Sequence, residues 1–176
     1  VAASATRGTL ARREHASIFV GGAPAFPRRA PGGYAMKILL PVDGSPFTAK
    51  MLAYIGAHDE MFGRADEFVL VHVRSPVAPR VRRAVGKELV DKLHADETQA
   101  ATKGVMAYFK QKGWSARLVT REGIPGDEIA AVAGSGKFDL VVMGSHGHGA
   151  IGALLMGSTA QRVLAHCSTP VLLIRR

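Results

Sequence analysis

Residues 138–166 read FDLVVMGSHGHGAIGALLMGSTAQRVLAH. A short apolar run, residues 138–143, passes into a glycine-rich stretch and then into an Ala/Leu/Val-rich segment ending at His166. Strand, glycine loop and helix, in that order, form an arrangement suited to phosphate. Glycines let the backbone approach a ligand closely, and a helix start offers free N–H groups and a positive dipole end. Within the stretch, Gly144, Gly147, Gly157 and Ser158 fall into the pattern G-x2-G-x9-G-S. Ser158-Thr159-Ala160-Gln161 also fits a capping box, which would make Ser158 the N-cap of the last helix.

Working outward, the same alternation recurs. Strands are expected at 37–42, 67–73, 116–120, 138–143 and 170–174. Helices are expected at 46–61, 81–112, 125–133 and 159–166, the first capped by Ser45 with Pro46 as its opening residue. The strands are short, continuous and rich in β-branched residues, as in a parallel sheet covered on both faces. This predicts an α/β, doubly wound, five-stranded parallel sheet of order 3-2-1-4-5 with helices on both faces. Ligands of such sheets sit outside the carboxyl ends of the strands at the switch point. Here that point lies between the first strand, ending Val42-Asp43-Gly44-Ser45, and the fourth, ending in the glycine loop.

Two better-known motifs are excluded. Gly147 to Gly152 matches GxGxxG, but it follows the fourth strand and no acidic residue stands near position 170. No GxxxxGK[ST] occurs, so no loop lysine is present to neutralise phosphates. Asp43, at a strand end beside the crevice, either accepts from ribose hydroxyls or closes an Asx turn before Gly44. His146 and His148 stand two apart without a third ligand close in sequence, so no metal site is expected. His72, inside the second strand, reads as a satisfied core histidine, and Cys167 as structural.

The chain has 176 residues, which favours one domain. The folded unit is expected over 36–176, with residues 1–35 a disordered or non-native extension. That stretch is rich in Ala, Gly, Pro and Arg, without a helical or strand period. The net charge is +9, and the first 35 residues hold five arginines against Glu14. This balance suits a polyphosphate and would also suit nucleic acid, but a solvated basic surface accounts for most of these charges, and nucleic acid is not expected as a partner. The single cysteine agrees with a reducing, cytoplasmic setting. No apolar run approaches the roughly 20 residues that span a bilayer, so no membrane partner is expected.

These residues resemble the universal stress protein family in its ATP-binding branch. The glycine pattern carries the likeness, with Ile38 to Ser45, the pair His72-Val73 and the closing run Thr169 to Ile174. The resemblance implies ATP as ligand and a homodimer. Mg²⁺ should accompany ATP, since it bridges phosphate oxygens, and the apolar C-terminal strand, on a sheet edge, is the expected dimer seam. The resemblance places Asp43 and Gly144 at the ribose and Pro41 and Val73 at the adenine. Gly147, His148, Gly149, Ser158 and Thr159 fall around the phosphates. Val42, Met143, Ser145, His146, Gly157 and Ala160 complete the implied site. It further implies a stress-response or regulatory binding protein with no catalytic residue. A slow ATP hydrolase or phosphotransferase using the same crevice, and a dimer that binds no nucleotide, remain as alternatives.

Overall fold

The computed structural model describes residues 16–19, 35–147 and 156–175. The elements, in chain order, are β1 (Ala16–Phe19), β2 (Lys37–Pro41), α1 (Pro46–Ala57), β3 (Glu67–Arg74), α2 (Pro79–Val85), α3 (Lys87–Lys112), β4 (Ala116–Glu122), α4 (Pro125–Ser135), β5 (Leu140–Gly144), α5 (Ser158–His166) and β6 (Val171–Ile174). The sheet order is β1-β6-β5-β2-β3-β4. The five strands from β2 to β6 are parallel, in the order expected from sequence.

The core follows from the strand pattern. Ile38, Leu39 and Leu40 of β2 are all wholly buried, because successive side chains enter opposite layers. Ile38 and Leu40 join Met51 and Ile55 of α1 and Val105 and Phe109 of α3. Leu39 joins Ile129 and Val132 of α4 and Val163 of α5 on the other face. Each such side chain contributes about 1.5–3 kcal/mol on burial. The helices therefore clamp the central strands from both sides and hold their carboxyl ends in register.

Helix α1 begins as expected: Ser45 is extended, its hydroxyl accepts from the Thr48 amide at 3.4 Å, and Pro46 opens the helix. One helical expectation needs correcting. The helix foreseen at 81–112 is two helices, α2 and α3, broken at Gly86. Gly86 adopts φ 83°, ψ 159°, a left-handed-side conformation that favours glycine and that no helix can accommodate.

A second correction concerns the sheet edge. Residues 1–35 were expected to add nothing to the fold, leaving Val171–Ile174 on an open edge. Instead β1 pairs antiparallel with β6, Ala16 opposite Ile174 and Phe19 opposite Val171. The physical reason lies in β6, an apolar strand whose outer N–H and C=O groups lack partners unless something pairs with them. Residues 20–34, which join β1 to β2, lie outside the described residues.

A chain beginning at Met36 would leave that edge unpaired. It should retain a cooperative melt yet self-associate more strongly than residues 1–176, as read by light scattering over a concentration series. An identical association profile for both chains would show that β1 does not protect the edge.

Candidate functional site

The carboxyl ends of β2 and β5 open onto a cleft of about 370 Å³, within the size of small-molecule sites. Pro41, Val42 and Asp43 enter it from the end of β2, and Val73 from β3. Met143 and Gly144 close β5, followed by His146 and Gly147. Gly157, Ser158, Thr159 and Ala160 bring the start of α5 to the same wall. Residues more than a hundred positions apart thus meet because β2 and β5 are neighbours, with Leu39 opposite Val141.

Asp43 closes the turn weighed for it and also borders the cleft. Its Oδ1 accepts from the Ser45 amide at 2.9 Å and from the Thr48 hydroxyl at 2.8 Å, which closes an Asx turn. Its Oδ2 lies against Gly147: a Cβ built there would stand 2.6 Å from that oxygen. A side chain at 147 would therefore have to displace the Asp43 carboxylate. The turn is steadied from behind by His72, 4% exposed, whose Nδ1 lies 2.9 Å from the Val42 carbonyl. A carbonyl only accepts, so Nδ1 carries the proton. His72 is the core histidine expected, although its Nε2 has no hydrogen-bond partner among the described residues.

The start of α5 differs from its expectation. Gly157, at φ −62°, ψ 149°, is the N-cap, and no side chain caps the helix. Ser158 is exposed at the first helical position, and Gln161 donates from Nε2 to the Met156 carbonyl at 3.0 Å. The capping box fails because the helix begins one residue early. The first intrahelical bond runs from the Gln161 amide to the Gly157 carbonyl at 3.0 Å. The Gly157 amide is used by the Ser145 carbonyl at 2.9 Å. The amides of Ser158, Thr159 and Ala160 therefore have no helical acceptor, as at any helix start. They border the cleft together with the positive end of the helix dipole.

Ser145 does not line the cleft. It is 2% exposed, donates its amide to the Ile174 carbonyl at 2.9 Å and sets its hydroxyl 3.0 Å from His146 Nδ1. Its part is to fix the two ends of the glycine segment to each other and to β6. The His146 ring rests against Phe47, with centroids 5.3 Å apart. His148 and Gly149 lie outside the described residues.

Thr48, Val71, Pro125, Ile129 and Met156 also line the cleft and were not foreseen. Val71 was readable, since it stands two residues before Val73 on the same strand face. Pro125 and Ile129 of α4 carry no such signal, because crossover helices are placed by packing. The described lining holds one carboxylate and neither lysine nor arginine. Among the described residues no cluster of three or more His, Cys, Asp or Glu could hold a metal ion. The cleft therefore offers apolar walls at the ends of β2 and β3, a hydrogen-bond acceptor at Asp43 and backbone donors at α5.

Comparison with known proteins agrees with the fold. Residues 35–175 match the sequence profile of the universal stress protein family. The universal stress protein in the QAH/OAS sulfhydrylase 3′ region of Thermus aquaticus is 32% identical over 138 residues, which cover 78% of this chain and 97% of that one. The solved structure of MJ0577 from Methanocaldococcus jannaschii superposes with a TM-score of 0.64 at 27% identity, covering 80% of this chain and 96% of that one. A universal stress protein family protein from Arabidopsis thaliana, solved with AMP bound, shares the fold at a TM-score of 0.59 and 15% identity, covering 80% and 92%. The chain belongs to the universal stress protein family.

The contact between Asp43 and Gly147 makes a stability prediction. Gly147→Ala should cost about 1–3 kcal/mol, as overpacking does. In an Asp43→Ala background the obstructing oxygen is gone, so the double variant should lose less than the two single losses combined, by about 0.5–3 kcal/mol. Urea unfolding of the four proteins measures this. Simple additivity would place Asp43 away from Gly147.

Proposed function

We propose, for this member of the universal stress protein family, that the cleft binds ATP and that the protein serves as a stress-response or regulatory nucleotide binder in the cytoplasm. One observation carries the reading: the uncapped start of α5, with three amides lacking helical acceptors, borders the same cleft as the Asp43 carboxylate. Phosphates belong at the amides and the dipole end. Asp43, which would repel them, belongs at ribose hydroxyls. Pro41, Val71, Val73 and Ile129 supply apolar walls for a base. The AMP bound by the structurally similar Arabidopsis protein supports a nucleotide of this class.

With no lysine or arginine in the described lining, phosphate charge would be met by backbone donors and by Mg²⁺ arriving on the nucleotide. The same lack argues against efficient phosphoryl transfer, which depends on charge clamps and a positioned nucleophile. Homodimerisation through β6 belongs to the proposal. It requires β1 to leave the edge, after which two copies of β6 satisfy each other by two-fold pairing.

Calorimetric titration with AMP, ADP, ATP and a dideoxy analogue tests the site. Gly147→Val should abolish binding, by crowding Asp43 and the ligand's approach. Asp43→Ala should weaken binding by about 10- to 150-fold, the scale of a hydrogen bond to a charged group. That loss should shrink for the dideoxy analogue. Equal binding of all four ligands to every protein, or of none to any, would end the nucleotide reading.

ATP turnover should be slow or absent. Steady release of phosphate near the enzymatic median of about 10 per second would instead establish an ATP hydrolase.

A further inference from the structure

Helix α2 is amphipathic, yet its apolar side is turned to water. At 3.6 residues per turn, Val81, Ala84 and Val85 share an arc of about 100°, and Arg80, Arg82 and Arg83 take the opposite side. Such a helix ordinarily buries its apolar arc against the core. Here α2 has no buried residue, and Val81 and Val85 are 50% and 40% exposed. Leu89 and Leu93, four residues apart in the first turns of α3, are likewise 46% and 54% exposed. Every residue from 78 to 89 is exposed, so the surface is a ridge and not a groove.

The ridge is basic and held in place. The Arg82 guanidinium reaches Glu122 Oε1 at 3.3 Å, and His94 Nδ1 lies 4.0 Å from the other oxygen of that carboxylate. Lys87 pairs with Asp91. Arg80, Arg83 and Lys92 face no carboxylate partner among the described residues. Unburied apolar side chains with uncompensated cations beside them are complementary to a surface that is apolar below and anionic above. Long arginine side chains can hold their charge at such a boundary while their stems stay in apolar surroundings.

We propose that α2 and the start of α3 dock this protein on an anionic lipid membrane. Val81, Val85, Leu89 and Leu93 enter the headgroup boundary, and Arg80, Arg83 and Lys92 meet lipid phosphates. A ridge presses into a deformable lipid layer, whereas a folded protein would have to supply a matching groove. Adsorption of this kind needs no spanning segment, and no helix among the described residues is long and apolar enough to cross a membrane. None of these residues lines the cleft, so the inference stands apart from the nucleotide reading.

The full chain is sedimented with vesicles of pure phosphatidylcholine, and with vesicles of two parts phosphatidylcholine to one part phosphatidylglycerol. It should pellet with the second and not the first, and raised salt should release it. Arg80→Ser with Arg83→Ser should weaken partitioning by about 30-fold, from the contribution expected per basic residue near an anionic surface. Val81→Asp with Val85→Asp should weaken it by at least about tenfold, by adding charge to the inserting face. All four positions are exposed, so both variants should melt and bind nucleotide as the parent does. Failure of the parent to pellet with anionic vesicles at low salt would overturn the proposal. So would equal pelleting with neutral vesicles, or undiminished pelleting of the valine variant. Self-association of the parent in vesicle-free solution, abolished by the valine variant, would assign the ridge to a second copy and would equally overturn it.

Discussion

The parallel pairing of β2 with β5 is the constraint on which the molecule depends. Ile38 lies opposite Leu140 and Leu39 opposite Val141, although a hundred residues separate them. The chain leaves β2 through α1 towards β3, and leaves β5 through α5 towards β6, in opposite directions across the sheet. At that divergence the described strand ends open onto the cleft. The exposed carboxyl ends of two buried strands become the floor of a cleft, and the walls are whatever follows each strand. After β2 comes an Asx turn centred on Asp43, and after β5 comes a glycine segment leading to a helix start.

These two walls are not independent. Asp43 Oδ2 and the Gly147 backbone are close enough to exclude a single methyl group. Ser145 ties the glycine segment at both ends, through Ile174 on one side and Gly157 on the other. His72 fixes the Val42 carbonyl from beneath. The cleft thus joins backbone turns held by buried hydrogen bonds to apolar side chains such as Val71, Val73 and Ile129.

The parallel order, both layers and the place of the cleft were legible in the sequence, because continuous apolar strands and glycine-rich connections state them directly. Ser45 was legible as a cap because Pro46 follows it and Thr48 accepts the geometry. Ser158 was not, since its capping-box partner, Gln161, turned to the Met156 carbonyl. The split at Gly86 was missed because helical periodicity continues across it, from Val81 and Val85 to Leu89 and Leu93. The strand β1 was missed for a different reason. Four residues between glycine- and arginine-rich stretches carry no period, and only the unpaired edge of β6 gives them a place. Of these, β1 is the element whose place is set by a neighbour distant in sequence.

In the proposed function, the start of α5 and the Asp43 turn together form an adenine-nucleotide site. The most direct measurement equilibrates the full chain with equal amounts of ATP, GTP, CTP and UTP and removes the free nucleotide. The protein is then denatured, and what it retained is identified by mass. ATP should be retained at about one per chain, and Gly147→Val should retain none. Retention of all four nucleotides alike, or of none, would contradict the proposal.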